Sequence, residues 1–172
     1  VDTGTFFLGA MQAKFGGVSI SMEPGHACYV PVAHVGQGDG LFESGLIEGQ
    51  LSRETVLRKL KPLLEAPYIL KIGQNLKYDM LALAQQGIKV SPIDDTMLFS
   101  YVIESGDVGH GMDELSERHL GHKPIAFKDV AGSGKSAVTF DRVEISRATQ
   151  YAAEDADITL RLWLLFKQRL QQ

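Results

Sequence analysis

Two short apolar stretches, Val18 to Met22 and Ala27 to Val32, flank the turn-forming pair Pro24-Gly25, and from Ser52 onward helical and extended patterns alternate. The first part predicts an antiparallel hairpin. The second predicts strands that return to the sheet through helices. Together they restrict the chain to an α/β domain with a mixed sheet.

Asp2 lies in "VDT", read as the end of a strand before the hairpin, and Val35 to Gly49 is glycine-rich and read as a surface loop. A helix follows the N-cap Ser52, with Val56, Leu57, Leu60, Leu63 and Leu64 on one side. "YILKIG" is a strand, and "NLKYDMLALAQQ" a helix that Gly87 can end. Then come an extended piece from Val90 to Asp94, a helix from Thr96 to Glu104, and a helix over "MDELSERHL" closed by Gly121. "AFKDVAGSGKSAVTF" reads as loop, and a final helix pair is expected from about Asp141.

With 172 residues and 44% hydrophobic content, the chain suits one domain, residues 1–172, with a full core. No apolar run approaches the roughly 18 residues of a membrane helix, and the N-terminus lacks a signal pattern, so a soluble intracellular protein is expected. Cys28 is the single cysteine, which rules out an internal disulfide and a multi-cysteine zinc site. A net charge of −4 argues against nucleic-acid binding through a broadly basic surface, yet leaves room for a carboxylate-rich catalytic pocket.

Three local patterns mislead. "GSGKS", Gly132 to Ser136, has Asp129 where a phosphate-binding loop needs its first glycine. "GQGDG", Gly36 to Gly40, has the wrong spacing for a dinucleotide fingerprint. His119 and His122, with Glu117, are read as surface residues rather than a metal site, because the second histidine lies beyond the helix end.

The last helix carries more. In "QYAAEDADITLRLW", Glu154, Asp157 and Arg161 share one flank and read as surface charge, while Ala152, Ala156, Leu160 and Trp163 form the core-facing side. Asp155 falls about 40° from Tyr151 and is bracketed by Ile158 and Leu162. A carboxylate among apolar neighbours has to be paired, protonated or metal-bound. Elsewhere, Asn75 and Asp79 are four apart on one helical face just after a buried strand, and Asp2 lies at a strand end.

The segments "VDT", "GQNLKYD", "DDTMLFSYV", "MDELSERHLGHKPIAF", "AGSGK" and "YAAEDADIT" resemble, in order and spacing, the 3′–5′ proofreading exonuclease domain of bacterial DNA polymerase I, the tyrosine-type branch of the four-carboxylate exonucleases. The resemblance runs along nearly the whole chain. It implies a ribonuclease-H-like fold, a mixed five-stranded sheet flanked by helices. It further implies two divalent ions, Mg²⁺ or Mn²⁺, with Asp2 bridging both, Asp155 on the ion that carries the attacking water and Asp79 on the other. Tyr151 would orient the water, Gln74 and Asn75 would contact the terminal nucleotides, and Leu8 and Phe127 would pack against unstacked bases. The implied substrate is a single-stranded or frayed DNA 3′ end. The implied setting is a longer chain with its own polymerase domain in the bacterial cytoplasm, at the nucleoid.

One position departs. The family's first motif is Asp-x-Glu, and this chain has Gly4 where the glutamate ligand belongs, in an aromatic and glycine-rich stretch that includes Phe6, Phe7 and Gly9. Three readings follow: a proofreading exonuclease weakened at one ligand, a retired structural or single-strand-binding domain, or an RNA-trimming exonuclease of similar architecture.

Overall fold

The hairpin forms around Gly25, whose φ of +84° is one that a side chain would strain. It joins β2 (Phe15–Glu23) to β3 (His26–Pro31), with Val18 opposite Val30 and Ile20 opposite Cys28. The computed structural model describes residues 2–5, 15–36, 45–104, 106, 108–134 and 137–171, the side chains of 2–5 and 15 falling outside the description. β1 (Asp2–Thr5) pairs antiparallel with β2, Asp2 opposite Ser19 and Gly4 opposite Gly17, and the register slips between Gly4 and Thr5. β4 (Lys71–Gly73) and β5 (Ile93–Asp95) pair in parallel.

The five strands thus form a mixed arrangement in two sheets, and among the described residues no ladder joins β1 to β4. What spans both is the last helix, α6 (Ile145–Arg169), which packs on β1, β2, β3 and β4. Before it come α1 (Arg53–Glu65), α2 (Lys77–Ala84), α3 (Thr96–Ile103), α4 (Met112–Leu120), α5 (Phe127–Ala131) and a 3₁₀ turn at Phe140–Arg142. The expected helix pair at the C-terminal end is therefore one 3₁₀ turn and one long helix. Free of glycine and proline for 25 residues, α6 has nothing to break it. The segment read as loop from Ala126 contains the short α5, too brief to show helical periodicity.

α6 serves two parts of the core. Its first half presents Ala148 and Ala152 to Tyr29, Val130, Phe140 and Val143, small residues that let the helix approach closely. Its second half buries Ile158, Leu162 and Phe166 against Leu115, with Phe99 and Ile103 alongside. Phe166 is fully buried, worth roughly 1.5–3 kcal/mol. The buried side differs from the expected one, since Leu160 and Trp163 are only half-buried while Ile158, Thr159 and Leu162 are buried. The core thus lies on the flank of Asp155. Trp163 is drawn outward because its Nε1 donates to the Asp94 carboxylate at 2.7 Å, where Lys167 also pairs at 3.2 Å.

In α1, Val56 and Leu64 are buried and Leu57 and Leu60 pack beside them, but Leu63 is 51% exposed, so the apolar stripe is narrower than expected. Ser52 caps this helix by accepting from the Thr55 N–H at 3.2 Å. At its far end the buried Lys71 donates to Ala66 O at 2.8 Å and Ser91 O at 2.5 Å, and burial lowers its pKa. The ends of the glycine-rich loop are held too. The Gln50 side chain accepts from His34 N at 2.8 Å and donates to His34 O at 2.7 Å, while residues 37–44 lie outside the description.

Candidate functional site

Asp79 stands in the first turn of α2 and is 8% exposed; Asp155, midway along α6, is 6% exposed. Both helices pack on β1, the strand that begins with Asp2. The expectation that Asp155 is buried among apolar residues is met, with Ala152, Ala156, Ile158 and Leu162 buried around its place on the helix. The Asp2 side chain lies outside the described residues, as does Leu8.

One turn before Asp155, Tyr151 packs into an aromatic group. Its ring centre is 5.9 Å from that of Phe140 and 5.9 Å from that of Phe127. Phe127 is 49% exposed, so α5 holds an aromatic face toward solvent beside Tyr151. An exposed ring fixed next to a half-buried phenol is the kind of surface on which an unpaired base can stack.

What fixes α5 there was not expected. Glu154, read as surface charge, accepts from the Ile125 N–H at 2.6 Å with one oxygen and meets His122 Nε2 at 2.8 Å with the other. Asp157 accepts from the Gly25 N–H at 2.6 Å and pairs with Arg161 at 2.8 Å, so it clasps the hairpin turn to α6. Helical geometry placed these acids on the flank away from the core, but loops from elsewhere in the chain reach that flank. Glu154→Ala is therefore expected to destabilise the fold by about 1.5–3 kcal/mol, as loss of hydrogen bonds to a charged group does, where a free surface position would change it by less than about 0.5 kcal/mol. Urea unfolding reads the difference.

The histidines also separate. His122 is with Glu154, whereas His119 has a side chain only 5% exposed, pairs with Glu104 at 3.0 Å and stands edge-on to Phe166. His119 is thus buried rather than superficial, and no metal cluster of three His, Cys, Asp or Glu side chains occurs among the described residues. The "GSGKS" segment follows α5, and the next described element is the 3₁₀ turn, not the helix that a phosphate-binding loop opens.

The turn from β4 into α2 is tightly specified. Gly73 leaves room for Leu76, whose side chain a Cβ there would strike. Asn75 takes φ +57°, the sole positive φ at a non-glycine among the described residues, a conformation that asparagine tolerates better than most. Asp95, 8% exposed and at the end of β5, accepts from the N–H groups of Asn75 at 3.0 Å, Leu76 at 2.8 Å and Met97 at 2.9 Å. The last of these caps α3. Bonds to a charged acceptor contribute about 1.5–3 kcal/mol each, so this carboxylate offsets the cost of the turn. An acid just before a helix start is a readable N-cap signal, but its reach to α2 is a tertiary fact that no local pattern carries.

Gln74, expected at the nucleotide, has its amide engaged within the chain: Nε2 donates to His110 O at 2.9 Å, and Oε1 accepts from the Thr96 hydroxyl. His110 in turn meets the Ser100 hydroxyl at 2.8 Å through Nδ1 and stacks on Tyr101 at 3.8 Å. The backbone N–H of Asn75 is held by the Asp95 carboxylate.

Solved structures share this architecture. Brucella melitensis NrnC superposes with TM-score 0.70 when bound to pGG and 0.69 with bound Mg²⁺, at 23% and 22% identity, covering 99% of this chain and 71% of that one. The fold is the ribonuclease-H-like fold of nucleases. The 3′–5′ exonuclease family matches residues 1–171. DNA polymerase I of Rhizobium leguminosarum is 51% identical over 98% of the chain, and that of Pseudomonas aeruginosa 45% identical over 99%. The chain belongs to the 3′–5′ exonuclease family of DNA polymerase I. It spans 18% of the length of these two relatives.

Proposed function

We propose that residues 1–172 form a single 3′–5′ exonuclease domain that removes nucleotides from DNA 3′ ends, within a longer chain that carries the polymerase. The carrying observation is the pair of buried carboxylates, Asp79 and Asp155, on two helices that both pack on the strand of Asp2. Buried acids are costly to keep, and an oxygen-only donor set suits Mg²⁺ or Mn²⁺. Asp2, Asp79 and Asp155 would hold two such ions. When bound, these supply positive charge that stabilises the attacking and leaving oxygens of phosphodiester hydrolysis.

The remaining work falls to the chain's own side chains. Tyr151 orients the attacking water through its phenol, held by the packing of its ring on Phe140 and Phe127. Phe127, with Leu8, replaces the stacking that a terminal base loses when it leaves a duplex. Asn75 contacts the terminal nucleotide, and Gln74 supports the turn on which Asn75 sits.

A second reading has its own observation. Gly4 cannot ligate a metal, which favours a domain that has kept its shape and binds single strands without cutting them. Cleavage of 3′-labelled substrates with Mg²⁺ or Mn²⁺ separates the readings. Single-stranded DNA is expected to be cut at least about tenfold faster than blunt duplex, since the terminal bases have to unstack. Binding without cutting supports the retired domain, and a tenfold preference for an RNA end supports RNA trimming.

A further inference from the structure

We infer that Asp95 is a positioning residue for the nuclease site, one carboxylate that closes the β4–α2 turn and caps α3 at once. This rests on the exonuclease reading above. Leu76 is the N-cap of α2 and offers no side-chain cap, so the turn that leads into the helix has to be held from elsewhere. Asp95 holds it, accepting from the N–H of Asn75 with Oδ1 and from the N–H of the N-cap Leu76 with Oδ2. The same Oδ1 accepts from Met97 N–H and so fixes the start of α3. Its reach fixes the first turn of α2 relative to β5, and Asp79 stands in that turn.

A parallel tie has the same ends. The Gln74 amide bridges His110 O, which precedes α4, and the Thr96 hydroxyl, the first residue of α3. Two side chains from opposite sides of the ladder therefore lock one turn, and the unusual φ of Asn75 lies between them. A tie of this kind holds Asn75 and Asp79 in register with the rest of the site without touching the substrate.

Asp95→Ser isolates the claim. Serine is a good N-cap and keeps the bond to Met97, but its hydroxyl is too short to span to Asn75 and Leu76 as well. The control is Asp94→Asn, which takes the charge from the neighbouring acid that pairs with Trp163 and Lys167 on α6. Three experiments are run on the full chain: amide hydrogen exchange, the unfolding midpoint, and cleavage of a 3′-labelled single strand, which gives kcat, KM and the Mg²⁺ midpoint. In Asp95→Ser the amides of Asn75 and Leu76 are expected to exchange at least about tenfold faster while the α6 amides keep their protection. Turnover falls at least about tenfold and the Mg²⁺ midpoint rises, within the range seen when the support of a metal ligand is removed. Asp94→Asn lowers the unfolding midpoint but leaves both kinetic quantities unchanged.

Unaltered exchange at Asn75 and Leu76, or kinetics in Asp95→Ser that match Asp94→Asn, overturns the inference. Should Asp95→Ser fail to fold, Asp95→Asn takes its place, since its one remaining oxygen keeps two of the three bonds and its amide opposes the Leu76 N–H. A wild-type chain that cleaves nothing sinks the exonuclease reading, and the exchange comparison then decides the clamp by itself.

Discussion

Asp155→Ala is expected to lower 3′-end cleavage by at least about 100-fold while the fold survives. Loss of a group that merely supports a metal ligand already costs 10–100-fold, and here a ligand itself would go. Stability moves differently. Asp155 occupies a buried place on α6 among Ala152, Ala156 and Ile158, where alanine is the better helix former and fits the surrounding volume. Removing a buried carboxylate also relieves its desolvation cost, which offsets what its own contacts contributed. The unfolding midpoint should therefore stay within about 2–4 °C of wild type, the shift that 1 kcal/mol produces in a domain of this size. Turnover on a 3′-labelled strand and a thermal melt on the same preparation test both halves. Unchanged turnover removes Asp155 from the site. A collapse of the fold would instead make it a structural acid, alongside Asp95.

The contrast with Glu154 and Asp157 marks how far the sequence could be read. Periodicity along α6 was enough to separate Asp155 from its neighbours, because burial follows the helical angle and that angle depends only on spacing. It could not tell a solvated flank from one covered by a loop, since the Ile125 amide and the Gly25 amide arrive from positions 29 and 132 residues away. The hairpin, α1 and the Gly121 stop were legible for the same local reason: turn residues, caps and the left-handed glycine at φ +62° act within a few positions. Asp95 was half-legible. Its cap on α3 is written in the order Asp-Thr before an apolar helix, but its bonds to Asn75 and Leu76 exist only because β5 returns beside β4. α5 was missed because five residues are fewer than periodicity needs. The assignments proposed for the site, Asp2, Asp79, Tyr151 and Asp155, rest on resemblance to a family, and spacing alone would have left each an ordinary structural residue.

Gly4 offers the test with the most to distinguish. In β1, positions 2 and 4 share a face of the strand, the alternation that an Asp-x-Glu motif uses to present two acids together. Gly4 pairs with Gly17 on β2, so a glutamate introduced there meets no side chain directly across the ladder. Gly4→Glu also removes a glycine from a strand, a change worth roughly 0.5–1 kcal/mol in its favour. Against this stands repulsion from Asp2 and Asp155, which raises the cost of the metal-free state. The two effects predict a distinctive pattern for a weakened enzyme. In a chelator the unfolding midpoint changes little, and at Mg²⁺ one hundred times its Kd the variant gains about 2.7 kcal/mol from ion binding. Cleavage rises at least about tenfold, the lower end of what a metal-site partner contributes. Calorimetry should then resolve two ions per chain. A retired domain gives another pattern, because a carboxylate added to a pocket that no longer assembles finds no ion to bind. Its midpoint is the same in chelator and in Mg²⁺, and no cleavage appears. The metal-linked melt therefore separates the two histories of this domain even if neither variant cuts DNA fast enough to follow.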